Sequence, residues 1–331
     1  MNRIGGNVRQ LGRNHVVAAL GHVSAGVVLV IGLASSGCAL DGTDEQVGGE
    51  QQELVGNNGM SLNGMSLNGM SINGMSLNGM SLNGMSLNGM SLNGMSLNGM
   101  SLNGSQLGGV TGEGQPVSGT ALVGATLDGV LSSGDTLPLR VDSASHLAGS
   151  NSDVWAYAVS FQADDAWHPL CGTGSDDQPI LAIPLTGTWS TESGVPGGGA
   201  WTDSSTAFTL GCRATALAKC VEFGYKPWKT HAGELLRDHH QACTRMLRAD
   251  YCGDGKSWTA NGTPINLYDG IGIQADDATW AVDAEWTAEG AICTNHIRDF
   301  QPGAPSCVPD LTDPACGTFA GGALIINEYG G

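Results

Sequence analysis

The chain has 331 residues, of which 52 are glycine and only 13% are charged, and its 31 acidic and 13 basic side chains give a net charge of -18. So acidic a protein does not attract nucleic acid or anionic lipid over its whole surface, and no nucleic-acid partner is expected. Basic residues are gathered in one place: beyond residue 38, eight of the ten Lys and Arg side chains fall between Arg213 and Lys256.

Residues 1–37 read as an export signal. Arg3, Arg9, Arg13 and His15 precede an apolar run from Val16 to Ala34, and the small residues Ala34-Ser35-Ser36-Gly37 lead to Cys38. The pattern resembles a bacterial lipoprotein signal, in which the cysteine becomes the lipid-modified N-terminus. Ser35 departs from it, standing where leucine is preferred. Plain secretion is a second reading. An uncleaved membrane helix is a third, opposed by Gly21, His22 and Gly26 inside the run. The resemblance implies lipidation at Cys38, a membrane partner reached through that lipid and, with Ala39 next, sorting to the outer membrane or cell surface. Cysteine parity agrees, because the total of nine leaves one over. With Cys38 lipidated, Cys171, Cys212, Cys220, Cys243, Cys252, Cys293, Cys307 and Cys316 are all disulfide candidates. Spacing does not give their connectivity, since eight cysteines allow about a hundred pairings.

An acidic tether follows over 38–58, with five carboxylates and no base between Asp41 and Glu53. A five-residue repeat region spans 59–137. From Gly59 the unit Met-Ser-Leu-Asn-Gly recurs to Gly104, with Ile72 the one change at the leucine position, and glycine keeps the beat through Gly134. Fixed-period self-similarity is the mark of a solenoid. A period of five suits neither a helix, at about 3.6, nor a flat strand, at about 2. It suits a square β-helix with leucine inward and Asn-Gly turning the corners. This resembles the pentapeptide-repeat family, with Leu62 and Leu67 at the central inward position. Met60 and Met65 depart from it, occupying a place usually given to small residues. A flexible Gly/Asn/Ser stalk is the alternative. No charge occurs from Leu54 to Gly112, so the array does not imitate nucleic-acid phosphates. A stalk, spacer or packing surface is left.

The region 138–331 is expected to be α+β: a disulfide-stapled, β-rich domain with two helices. Val154–Phe161 alternates bulky and small residues as a half-buried strand does. Pro179–Leu185 is a second apolar run, and Gly194–Gly199 a glycine-rich loop without the lysine of a phosphate cradle. Thr206–Cys212 predicts a strand leading to a helix from Ala214 to about Phe223, blocked by Pro227. A longer helix is expected from about Ala232 to Tyr251, with Leu235, Leu236, His239, Cys243, Met246, Leu247 and Asp250 on one face and Gly253 as terminator. Lys256–Ala260 and Thr263–Tyr268 flank Asn261-Gly262, a hairpin signal. Thr279–Thr287 alternates, with Trp280, Val282, Ala284 and Trp286 facing one way. Ala323–Tyr329 is the last expected strand.

The stretch from Cys212 to Cys252 holds four cysteines, the longest helical pattern and most of the basic side chains, and ends in Ala249-Asp250-Tyr251-Cys252. It resembles the core of the ADYC domain, a family named after that motif. The likeness runs from about residue 150 to the C-terminus and is sharpest from Cys212 to Asp269. The resemblance implies a surface or secreted protein of myxobacterial type and brings no known activity.

No constellation announces chemistry. His231, His239 and His240 lie near Asp238 and Asp250 without the H-E-x-x-H spacing of a helical zinc site. The spacing C-x7-C-x22-C-x8-C favours disulfides over zinc, whose cysteine pairs stand about two to four residues apart. Asp164-Asp165, Asp176-Asp177 and Asp276-Asp277 are at most weak calcium ligands in loops. No metal site, no cofactor and no nucleophile elbow are expected, and the catalytic residues are unknown. Trp228, between Pro227 and Lys229, is the candidate ligand contact, against the plainer reading that it caps the disulfide core. The leading reading is a non-enzymatic, lipid-anchored surface protein whose stalk presents a head that binds a surface polymer or a protein. The alternative is a hydrolase of extracellular polymers drawing acid and base from Asp250, His239 or Asp269.

Overall fold

The strand expected at Val154–Phe161 is the spine of the head. In the computed structural model it is β6, Trp155–Ala163, and it is buried on both faces from Ala156 to Phe161. Tyr157, Val159 and Phe161 enter one core cluster, while the small Ala156 lies in another beneath a helix. The structure describes residues 98–330 apart from 112, 131–135, 164, 190–198, 205–206, 214, 260–262, 277–278, 299–302, 309–310 and 312–314, together with 55–56, 82–86, 91–92 and 95–96. The expected signal peptide, Cys38, the expected tether up to residue 54, much of the repeat and most of the glycine-rich loop lie outside the described residues.

Around β6 the chain forms β1 (Asn98–Asn103), β2 (Gln106–Val110), β3 (Pro116–Ser118), β4 (Thr126–Val130), β5 (Thr136–His146), β7 (Ala182–Thr186) and β8 (Ala207–Cys212). A large antiparallel sheet runs in the order β8-β7-β6-β5-β4, and β1-β2-β3 make a small antiparallel sheet of their own. A second antiparallel sheet is built from β9 (Thr263–Asp269), β10 (Ala281–Trp286), β11 (Ala291–Thr294) and β12 (Ile325–Tyr329), in the order β9-β12-β10-β11. The helices α1 (Ala216–Glu222) and α2 (Arg237–Arg248) lie between the two sheets. Leu217, Ala218 and Val221 of α1 pack on Ile183 and Leu185 of β7. Ala216 and Cys220 turn instead to α2, whose Ala242, Met246 and Leu247 pack on Ile265, Ala284, Trp286 and Ile325 of the second sheet.

Four disulfides join Cys171 to Cys212, Cys220 to Cys243, Cys252 to Cys307 and Cys293 to Cys316, which uses all eight candidates. Each bond ties one layer to the next or fastens a long loop. With separations of 23 to 55 residues, closing each loop removes unfolded-state entropy worth about 3–4 kcal/mol.

Several expectations need correction. The degenerate end of the repeat does not extend a solenoid: Leu107, Leu122, Leu127 and Leu137 are core residues of the head, and the buried Tyr157 hydroxyl accepts the Leu107 N–H at 2.9 Å. A boundary at 138 therefore cuts through one core. Coils of a β-helix stack in parallel, whereas the described pieces of 82–130 pair antiparallel. The long helix begins at Arg237 rather than Ala232, because Ala232 (φ 51°) and Gly233 (φ 90°) turn a small hairpin between Thr230–His231 and Glu234–Leu235. Leu235 is consequently 48% exposed. Residues 256–259 form no strand, and β9 pairs with β12 instead. Trp280, expected to share a face with Ala284 and Trp286, is 42% exposed, while those two are buried.

Candidate functional site

The four motif residues each have a mechanical task at the end of α2. Ala249 stands in the left-handed region (φ 51°, ψ 43°), where its N–H reaches the Met246 carbonyl at 3.0 Å and the next N–H, of Asp250, reaches Arg245 at 2.9 Å. These are the two bonds of a Schellman ending, so Ala249 and not Gly253 terminates the helix. Gly253 (φ 66°) does something else: a methyl there would sit 1.6 Å from the Glu289 carbonyl oxygen, so only glycine lets these two turns abut.

Asp250 points into the core at 0% exposure. Its Oδ2 accepts from Arg245 Nη1 and from the Gly255 N–H at 3.0 Å, while Arg248 Nη2 donates to the Gly255 carbonyl at 2.8 Å. Burial raises the Asp250 carboxyl above the ordinary carboxylate range, against the pull of Arg245 and Arg248. Desolvation likewise brings Arg248 down to about 10. Asp250 Oδ1, Arg248 Nε and Arg298 Nη2 have no hydrogen-bond partner among the described residues.

Tyr251 crosses to the second sheet. Its hydroxyl donates to Asp283 Oδ1 at 3.1 Å and accepts the Arg298 N–H at 3.1 Å, and its ring lies 5.2 Å from Trp286. Asp283 also holds Arg298 Nε at 2.7 Å and Asn327 Nδ2 at 2.9 Å, and Arg298 Nη1 donates to the Met246 carbonyl at 3.0 Å. Burial raises the Tyr251 phenol. Cys252 completes the motif through its bond to Cys307. Ala249, Asp250, Tyr251 and Cys252 thus end α2, tie its last turn to the following loop, lock it to the second sheet and fasten the 303–308 turn.

The other acid–base nominees are similarly engaged. Asp269 Oδ1 accepts the N–H groups of Ile271, Gly272 and Ile273 at 2.9, 2.7 and 3.1 Å, and Oδ2 accepts from Gln274 N–H at 2.8 Å and Tyr225 Oη at 2.7 Å. His239 is buried, with its ring 6.1 Å from Tyr225, and burial lowers its pKa. His240 is sealed in the core, bonded to the Leu217 carbonyl at 2.9 Å, and burial holds its pKa down to about 4. His239, in the first turn of α2, and Asp250, past its last turn, lie at opposite ends of that helix. Among the described residues no group of three or more His, Cys, Asp and Glu side chains is placed to hold a metal. Asp176 and Asp276 serve nearby backbone and side-chain donors, Gln178 N–H and Asn266 Nδ2, while Asp164 and Asp277 lie outside the described residues.

Trp228 is half-buried. It packs against the cluster under α1, with its indole nitrogen 3.0 Å from where a methyl on Gly104 would lie. The plainer reading of this residue, as packing, fits that position. Trp201 is half-buried against the same cluster, and its ring also faces a groove. The groove has a volume of about 370 Å³ and is shared with Arg237, Asp238, Gln241, Gly253 and Glu289. The Arg237 guanidinium lies 4.3 Å from the Trp201 ring centroid, and its Nε is 3.7 Å from Asp238. Trp201 Nε1 is anchored on the Thr186 carbonyl at 2.9 Å, and Gln241 in the floor is fixed by Trp189 Nε1 at 2.9 Å. A second cavity of about 570 Å³, beside β5, has Asp142, Asp176 and Arg213 in its walls. None of Asp250, His239 and Asp269 lines either space. Sequence reasoning overlooked Trp201 and Arg237. Arg237 was hidden inside a helix expected to start at Ala232, and the Ala232-Gly233 pair was the available signal that the start lay later.

Comparison with protein families matches the ADYC domain over residues 119–300. That span begins upstream of the expected 150 and takes in the end of the five-residue period. Neither the curated proteins nor the solved structures contain a match to this chain.

Proposed function

The chain belongs to the ADYC domain family, and from that premise we propose that it is a non-enzymatic, exported binding protein. A lipid on Cys38 would hold it at the outer membrane or cell surface, and the Met-Ser-Leu-Asn-Gly repeats ahead of the strand pieces that join the head from residue 82 would act as the stalk. The disulfide-stapled head would bind an extracellular polymer or a protein through the groove at Trp201 and Arg237. Four disulfides in one head are consistent with an extracellular or exported protein, since such bonds persist in oxidising compartments.

One observation carries the non-enzymatic reading. Asp250, the acidic residue of the family motif, is wholly buried and bonded to Arg245 and Gly255, so it is not open to substrate. The groove, by contrast, offers an indole backed by a guanidinium and flanked by exposed Asp238 and Glu289. Stacked aromatic and cationic groups with polar neighbours suit hydroxyl-rich polymers and peptides alike. The test is co-sedimentation of the mature protein with insoluble chitin, cellulose and peptidoglycan, beside Arg237→Ala and Asp238→Ala. Retention by the parent and loss in both variants supports the reading. Release of soluble fragments from the polymer would show a hydrolase instead. Intact mass of the mature protein tests the anchor, and an unmodified N-terminus beyond residue 38 would refute it.

A further inference from the structure

The four disulfides differ in access. Cys171, Cys212, Cys220 and Cys243 are at most 1% exposed, so the two bonds they form are sealed. Cys293 is 3% exposed and its partner Cys316 half-buried. In Cys252–Cys307 both residues are half-buried, with Cys307 packed against the edge of the core beneath α2. The Cys307 N–H donates to Cys252 Sγ at 3.2 Å, and Ser306 Oγ stands 3.9 Å from the same sulfur. Thiol–disulfide exchange needs a thiolate to reach a sulfur, so access ranks the bonds.

The two sides of this bond are also held unequally. On the Cys252 side the turn is fixed without the disulfide, by Asp250 on Gly255, by Arg248 on the Gly255 carbonyl and by the Ala291 N–H on Tyr251 O at 2.9 Å. On the Cys307 side, 303–308 is a turn closed on itself by Val308 N–H to Pro305 O at 3.1 Å. Pro305 is buried and Cys307 packs against the core beneath α2, and beyond them Leu311 accepts the Thr294 N–H at 3.0 Å at the edge of that core. The neighbouring Cys293–Cys316 bond is backed differently: Glu285 accepts the N–H groups of Gly317, Thr318 and Phe319 at 2.7, 2.6 and 2.9 Å, which fixes that loop whether or not its sulfurs are joined.

We propose that Cys252–Cys307 is a redox-addressable clasp, opened by an extracytoplasmic dithiol reductant while the other three disulfides and both sheets stay intact. A thiolate of the reductant attacks one sulfur, the second sulfur leaves as a thiolate and takes a proton, and the reductant's other thiol displaces the mixed disulfide. Two electrons pass to the protein, and the reductant becomes a disulfide. The product is a pair of thiols at residues 252 and 307 and a released 303–308 turn. This inference does not depend on what the groove binds.

The experiment uses the full oxidised chain with stepped dithiothreitol or reduced thioredoxin, trapping by N-ethylmaleimide, mass mapping of the labelled cysteines and far-UV circular dichroism at each step. Cys252 and Cys307 are expected to label at a reductant concentration at least about tenfold below the others, with the spectrum unchanged. Labelling first at Cys293 and Cys316, or of all eight cysteines together with loss of the spectrum, overturns the proposal. The double variant Cys252→Ser/Cys307→Ser is expected to fold with its three remaining disulfides and to show no labelling at low reductant. Its failure to fold would make the bond a structural necessity and equally overturn the proposal.

Discussion

Alanine at Asp250 separates a structural carboxylate from a chemical one. The parent side chain is fully buried and holds Arg245, itself 2% exposed, and the Gly255 N–H. Removing it leaves Arg245 and Arg248 beside each other in the core without the anion between them. Breaking a buried ion pair in this way costs about 3–5 kcal/mol, a large part of the stability of an ordinary domain. Asp250→Asn keeps a carbonyl for Gly255 but loses the charge and exchanges the other oxygen for an NH2 donor, so the cost should fall only to about 1–3 kcal/mol. The assay is urea unfolding with all disulfides intact, followed by near-UV circular dichroism, so that parent and variant share the same cross-linked unfolded state. The reasoning fails if Asp250→Ala stays within about 0.5 kcal/mol of the parent. It fails differently if the variant is more stable, because burial already raises this carboxyl and its desolvation would then outweigh its bonds.

His240 gives a pH signature. Its folded pKa of about 4 lies below the ordinary 6.5, so the unfolded chain binds the proton first and stability falls as pH drops from about 6.5 to 4, by about 3 kcal/mol for this group. His240→Gln should flatten that window in a series of melting curves, and an unchanged slope would refute the assignment. Tyr157→Phe removes the acceptor of the Leu107 N–H and should cost about 1–3 kcal/mol; no change in the urea midpoint would detach the 98–110 segment from the core. Gly253→Ala meets the Glu289 carbonyl and a left-handed backbone, so a fall in melting temperature reflecting at least about 1–2 kcal/mol is expected, and a neutral result would contradict the abutting turns.

Local patterning carried much of the fold. The alternation of β6, the apolar runs of β7 and β8 and the final strand were legible because one strand's faces are written in its own residues. What was not legible depends on partners far along the chain. Asp283 and Glu285 alternate with apolar residues and look solvent-facing, yet both are buried, because Tyr251, Arg298 and Asn327 serve one and the 317–319 amides the other. Likewise the five-residue glycine beat beyond Gly104 reads as more repeat, although its leucines enter the head's core through antiparallel strands. In the candidate site, a structural role for Asp250 was readable from its place at a helix end with arginines nearby. Its pairing with Arg245 depends on the left-handed turn at Ala249. Trp201 and Arg237 meet only in the fold, across a loop that no periodicity links.

The motif builds and the groove binds, with Arg245 holding Asp250 on one side and lining the groove on the other, and one paired measurement tests this division: melting temperature and retention on insoluble polymer for the parent, Asp250→Asn, Tyr251→Phe, Arg237→Ala and Asp238→Ala. The two groove variants should melt with the parent and lose retention. The two motif variants should melt lower and, held below their transitions, keep it. A motif variant that melts with the parent but no longer binds or acts on the polymer would contradict the account and return Asp250 and Tyr251 to the functional surface.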